Sequence, residues 1–173
     1  MKPFCAILIL FFITSCGAVK VNYDYEKETD FSGYSTYGYF DDMQTGLSEL
    51  DEKRFLMAMD ITLQSKGLKF SEESDLLIDV KSAVYEDGPK NTVGVGIGGG
   101  GRSVGGGVSM GIPVGGEKLK RELQIDFIDA KKNVLVWQAI SESVFKEEDP
   151  PVVKEEKMQE LVLKIFEKYP PKK

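Results

Sequence analysis

Twelve of the chain's eighteen glycines lie between Gly94 and Gly116. Glycine inside a strand costs roughly 0.5 to 1 kcal/mol against alanine, so ordering a dozen of them costs on the scale of a domain's net stability. This tract cannot supply a core, and the fold has to come from the sequence on either side of it. Within the tract, Val93, Val95 and Ile97 alternate with glycines, Gly98 to Gly101 interrupt, and Val108, Met110, Ile112 and Val114 alternate again. That pattern describes two arms of an extended hairpin, each with one apolar edge and one nearly bare face. Read plainly, 92–116 is a flexible insertion between two sheet strands. A sharper reading is a hairpin that orders on adding its backbone to a partner's sheet edge, or on laying its valines against lipid. Gly94, Gly96 and Gly99 also satisfy GxGxxG, but no helix pattern or GK[ST] follows, so the context for phosphate capture is missing.

The other unusual segment is the start. One positive charge, Lys2, precedes the apolar run Phe4 to Ile13, which is short for a permanent transmembrane helix and has the form of an export signal. Ile13, Thr14, Ser15 and Cys16 follow in the order that lipoprotein processing recognises; an ordinary secretory leader with a stray cysteine is the plainer alternative. The expectation is that residues 1–15 are removed and that the Cys16 thiol takes a diacylglyceryl group, with the freed amine acylated in turn. Two or more acyl chains give stable attachment, at about 0.8 kcal/mol per buried methylene. Cys5 leaves with the leader, so 16–173 has no thiol to spare for a disulfide.

Residues 16–173 are expected to form one domain. Val19, Val21 and Tyr23 alternate with polar residues, which begins a strand three residues after the lipid site. Ser35 to Phe40 reads as a second, aromatic strand, followed by a turn over Asp41 to Gly46. Ser48 is a candidate N-cap with Glu49, Asp51 and Glu52 in the first turn, and the helix it opens ends at Gly67. Phe55, Leu56, Met59 and Leu63 share one face of it, and Met57 and Ile61 are expected to widen the buried surface. Leu76, Ile78, Val80 and Val84 mark a third strand. Leu119 to Ile128 and Val134 to Phe145 form a hairpin around Asp129 to Asn133. In the latter strand Val134, Val136 and Ile140 share one side, and Leu135, Trp137 and Ala139 the other, with Trp137 read as a packing anchor. Pro150 and Pro151 open a last helix with Met158, Leu161, Val162, Ile165 and Tyr169 at helical spacing, ended by Pro170 and Pro171. The fold class is α+β: a mostly antiparallel, curved sheet of about five strands, two helices packed on it, and a glycine-rich insertion.

The chain contains no histidine, which removes the commonest general base and the commonest zinc ligand together. With Cys16 blocked, thiol catalysis and thiolate metal sites go too. Without the leader's Lys2 the formal charge falls from −6 to −7, which argues against nucleic acid as a partner. Glu72 with Glu73, and Glu147, Glu148 with Asp149, are acidic clusters in predicted loops; solvated loop acids are the ordinary account, and a carboxylate-pair hydrolase the remote one. The aromatic group of Tyr23, Tyr25, Phe31, Tyr34, Tyr37, Tyr39 and Phe40 suits the core of a strand pair, with stacking on cell-wall sugars as the alternative.

Several short stretches, taken in order, carry a likeness. They are Val21-Asn22-Tyr23-Asp24, Asp30-Phe31-Ser32 and Tyr34-Ser35-Thr36-Tyr37; then Lys66-Gly67-Leu68 leading to Ser74-Asp75-Leu76-Leu77-Ile78; then Ile128-Asp129-Ala130 with Leu135-Val136-Trp137; and Tyr169-Pro170-Pro171. In this order the chain resembles the bacterial lipoproteins bearing the domain of unknown function numbered 4136, in which a glycine-rich insert at this place is common. The resemblance implies an envelope lipoprotein with a curved antiparallel sheet and two helices, and carries no catalytic or binding residues across. Gln138, after the hairpin tryptophan, stands where that family usually has a basic residue.

The expected function is a non-enzymatic interaction or assembly module of the cell envelope, without metal or cofactor. It is expected to be anchored through lipid on Cys16 to the outer membrane. The periplasmic face is favoured because Gly17 to Tyr23 holds no acid. Val93, Val95, Ile97, Val108, Met110, Ile112 and Val114 are the candidate contacts for an envelope protein partner. A glycan-binding module built on the aromatic first strands is the alternative.

Overall fold

The computed structural model describes residues 19–87, 92–94, 111–113 and 118–172. The leader with Cys16 lies outside them, as do Val95, Ile97, Val108, Met110 and Val114. In chain order the elements are β1 (Lys20–Tyr25), a 3₁₀ turn (Phe31–Gly33), β2 (Thr36–Tyr39), α1 (Glu49–Ser65), β3 (Lys69–Phe70), β4 (Leu76–Asp87), β5 (Thr92–Gly94), β6 (Gly111–Pro113), β7 (Lys118–Asp129), β8 (Val134–Val144) and α2 (Pro151–Ile165). Six strands make one sheet in the order β1-β8-β7-β4-β2-β3. All neighbours pair antiparallel except β2, which runs parallel to both β4 and β3. The sequence pattern expected about five strands, and the sixth is β3, too short at two residues to show a period.

The core forms where one face of the sheet meets the helices. Leu76, Ile78 and Val80 of β4, Leu123, Ile125 and Phe127 of β7, and Trp137 and Ala139 of β8 all point to that face and are buried. The anchoring role expected of Trp137 is met, since its ring stacks on Phe166 just after α2, with centroids 5.4 Å apart. The side assignment in β8 needs one correction. Phe127 faces Trp137 but Ile128 faces Leu135, so Val136 is an extra residue, a bulge that turns it inward beside Trp137. Val134 and Leu135 are consequently exposed, and the core side beyond the bulge runs through Trp137, Ala139 and Ser141.

Ser48 caps α1, its hydroxyl accepting the N–H of Asp51, and Gly67 follows the helix at φ +92°, a conformation that favours glycine. The buried stripe is Phe55, Ala58, Met59, Thr62 and Leu63 with Asp51. Met57 and Ile61 do not widen it: both are exposed, because α1 lies on a sheet and meets the protein along one side only. In α2 the expected residues Met158, Leu161, Val162 and Ile165 are the buried ones, and Tyr169 beyond its end is buried with them.

Gly38 in β2 marks a close crossing. A Cβ there would lie 2.8 Å from the Ser71 carbonyl oxygen and 2.9 Å from Ser74 Oγ. Gly38→Ala is expected to destabilise the domain by roughly 1–3 kcal/mol through this overlap. Trp137→Ala should cost about 3–5 kcal/mol. Urea unfolding followed by fluorescence or circular dichroism measures both, and a neutral Gly38→Ala would refute the crowding.

Candidate functional site

Apart from Val21 to Asp24 in β1, the sequence stretches that carry the family likeness gather at one end of the sheet, where Leu76 pairs with Asp129. Asp75, just before β4, accepts four hydrogen bonds on one oxygen: the Ser35 N–H at 3.0 Å, the Ser35 hydroxyl at 3.1 Å, the Thr36 N–H at 3.2 Å and the Thr36 hydroxyl at 3.0 Å. In return the Asp75 N–H donates to Thr36 Oγ1 at 2.8 Å. These donors, the Ser35 N–H foremost, hold the Asp75 carboxyl down at about 2. The parallel start of β2 beside β4 is therefore fixed by side-chain bonds as well as by the ladder.

Asp129 performs the matching task at the β7–β8 turn. It accepts the N–H groups of Lys131 at 3.0 Å and Lys132 at 2.9 Å, and the Tyr34 hydroxyl at 2.9 Å. Burial alone pushes this carboxyl up, but the bonds from Lys132, Tyr34 and Lys131 outweigh it and hold it below its ordinary value. Burial and the Asp129 bond together push the Tyr34 hydroxyl up to about 12. Asn133 completes the turn at φ +54°, where asparagine is tolerated.

The aromatic group gathers around this end. Tyr169 meets Phe127 at 5.1 Å, Trp137 at 5.2 Å and Phe31 at 6.0 Å, and Phe31 continues to Tyr34 at 6.2 Å and Tyr25 at 6.3 Å. Lys66 Nζ donates to the Tyr169 carbonyl oxygen at 2.8 Å, joining the ends of α1 and α2. Tyr37 and Tyr39 both donate to Asp60 Oδ1 at 2.8 Å. Burial, with the bond to Asp60, pushes the Tyr37 hydroxyl up to about 12. Of the first-strand aromatic rings, Tyr25 alone is exposed, and the others pack inward or are half-buried.

The opposite end holds the charge that sequence reading missed. Arg121, on the core side of β7, donates to buried Asp51 at 3.0 Å, which also pairs with Arg54 at 3.0 Å. The Arg121 guanidinium also lies 3.8 Å over the Phe145 ring. No spacing rule links position 51 to position 121; the only signal was an arginine standing where β7 alternation calls for an apolar residue.

The acidic loops behave as solvated acids. Glu72, Glu73, Glu147 and Glu148 are exposed, and Asp149 pairs with Lys157. A shallow groove of about 160 Å³ runs between the helices, lined by Leu50, Lys53, Arg54, Met57, Ala58, Glu155 and Gln159. Among the described residues there is no cluster of three or more metal-ligating side chains, and no helix long and apolar enough to cross a membrane. Of the glycine tract's candidate contacts, Val93 pairs with Ile112 between β5 and β6.

Asp75 gives a pH prediction. Its pKa falls from 3.8 in the unfolded chain to about 2 on folding, so its contribution to stability is complete above pH 3.8 and fades as pH drops through 2. Acid unfolding of the native protein should show this loss, and Asp75→Asn should be less stable near neutrality with a flatter profile between those limits. Parallel native and variant curves would remove the assigned role.

The fold has distant parallels among solved structures. A PDZ domain protein from Parabacteroides distasonis superposes with a TM-score of 0.58 at 15% identity, over 90% of this chain, which spans 37% of that protein's length. The PelC dodecamer from Paraburkholderia phytofirmans gives 0.48 at 9% identity, covering 86% of this chain and 96% of that one. Among curated proteins none matches in sequence. The family model of a domain of unknown function, DUF4136, matches residues 21–171, and the chain belongs to that family.

Proposed function

We propose that this protein is a lipid-anchored, non-enzymatic interaction or assembly module of the bacterial cell envelope, held through Cys16 at the periplasmic face of the outer membrane. Its glycine-rich connection is the contact surface. One observation carries the reading: the chain enters the sheet at the end from which the glycine-rich connection leaves. Lys20 at the start of β1 lies in the same cross-strand row as Glu142, Glu122 and Ala83. Asp87 and Lys118, which flank the connection, pair four residues further along in that direction, about 13 Å. Val19 stands three residues after Cys16, so a lipid there holds this end close to the bilayer and brings the connection to the membrane surface. The lack of histidine and of a second thiol in 16–173 supports a role without catalysis. The glycan alternative draws no support from the aromatic strands, whose rings are taken up mainly in packing.

Two experiments test this. Cys16→Ser is expected to abolish acylation and release the protein from the membrane fraction; a variant still trimmed and still sedimenting with membranes would refute the anchor. Deleting 92–116 should leave circular dichroism and urea stability near native while removing envelope crosslinks. An unchanged crosslink pattern would exclude the connection as the contact.

A further inference from the structure

β1 is an edge of the sheet along its whole length, with β8 as its neighbour on one side only. The opposite edge ends in β3, which at two residues is too short to offer a ladder. β1 contains no proline, no glycine and no register shift against β8, and its two charges, Lys20 and Asp24, are of opposite sign. Its bonds show which groups face outward. The Glu26 N–H donates to the Val136 carbonyl oxygen at 3.0 Å. By antiparallel alternation the backbone groups of Asp24, Asn22 and Lys20 then face β8, and those of Val21, Tyr23 and Tyr25 face outward. Tyr25 agrees, since its N–H donates to the side chain of its own neighbour, Asp24 Oδ1, at 2.9 Å. The side chains of Lys20, Asn22 and Asp24 are exposed on the sheet face away from the helices, and Val21 and Tyr23 are half-buried on the helix side.

We propose that this edge pairs antiparallel with the same edge of a second copy, continuing one sheet through both chains. The strand is complementary to itself. A two-fold axis through Asn22, perpendicular to the sheet, sets Lys20 against Asp24 of the other copy and Val21 against Tyr23, each contact made twice. The same register satisfies the backbone, because Val21 and Tyr23 both face outward and exchange N–H and C=O bonds, as do Tyr25 and Val19. Pairing moves the Tyr25 N–H from Asp24 to the Val19 carbonyl oxygen of the other copy and frees the Asp24 carboxylate for Lys20. That ion pair falls at a position without backbone bonds, where opposed Cα atoms lie about 4.5 Å apart and side chains meet most closely. The neighbouring registers of the same bonding parity set Asn22 against Lys20 or against Asp24, and in both Asp24 loses its cationic partner. Main-chain bonds rather than a broad apolar area carry the contact, as in other strand additions. The two Lys20 residues lie about 13 Å apart along the strands, so both chain starts can share one bilayer surface.

Crosslinking reads the register. In the full chain with Cys5→Ser and Cys16→Ser, Asn22→Cys should form an intermolecular disulfide under mild oxidation, because the two sulfurs meet on the axis at a Cα separation within disulfide reach. Lys20→Cys and Asp24→Cys should each crosslink poorly alone and readily when mixed. In analytical ultracentrifugation of the same cysteine-free chain in detergent, dimer should grow with concentration. Lys20→Glu and Asp24→Lys should each weaken it about tenfold, and mixing them should restore it, because both charge contacts are again of opposite sign. Val21→Pro removes an outward N–H and spares the ladder to β8, so dimerisation should be lost with circular dichroism unchanged. A monomer at every concentration, equal crosslinking at all three positions, or a mixture of reversals no tighter than either alone would each overturn the proposal. Neither the docking nor its test rests on the lipid on Cys16, so failure here leaves the anchor reading standing.

Discussion

The contact between one face of β4, β7 and β8 and the two helices organises the molecule. Trp137 lies at its centre, 4.9 Å from Phe127, 5.4 Å from Phe166 and 5.2 Å from Tyr169. Rings at such distances contribute about 0.5–1.5 kcal/mol per pair beyond the area they bury. Cysteine provides no staple within the folded region, so this apolar seam has to support the domain by itself. The bulge at Val136 belongs to the same seam: it turns two consecutive side chains inward where the sheet meets the end of α2.

The two ends of the sheet are closed by different physics. At the Tyr169 end, Asp75 and Asp129 each gather several backbone and hydroxyl donors onto one carboxylate, which joins segments distant in sequence. At the other end a charged triad of Arg121, Asp51 and Arg54 is partly buried beside Phe145. Desolvation of such a triad offsets much of its Coulomb attraction, so it fixes where α1 begins more than it stabilises the domain. The first end is tied together by the hydrogen bonds of Asp75 and Asp129. The second is where the chain enters, where the glycine-rich connection leaves, and where both helices begin.

Much of this was legible because the relevant signals are local. The Ser48 cap, the Gly67 stop, the prolines around α2 and the alternation in β4 and β7 each depend on neighbours a few residues away. The two-residue β3 escaped because two residues carry no period. Alternation alone does not give the faces of β8, because the bulge at Val136 breaks it without any mark in the sequence. Met57 and Ile61 have the spacing of core residues yet lie outside, because helical spacing reveals an apolar surface but not how many neighbours are available to cover it.

The sequence by itself determined the class of elements, their order, the apolar stripes of both helices and the absence of histidine chemistry, since composition and short-range periodicity suffice for each. Only the tertiary structure decided which stripe is covered and which is left outside, that Asp75 joins Ser35 and Thr36 across forty residues, and that Arg121 reaches Asp51. It also decided that both helices start at the end where the chain enters the sheet. These are relations between distant segments, fixed when one sheet face and two helices pack in a single arrangement, and no window along the chain contains both partners.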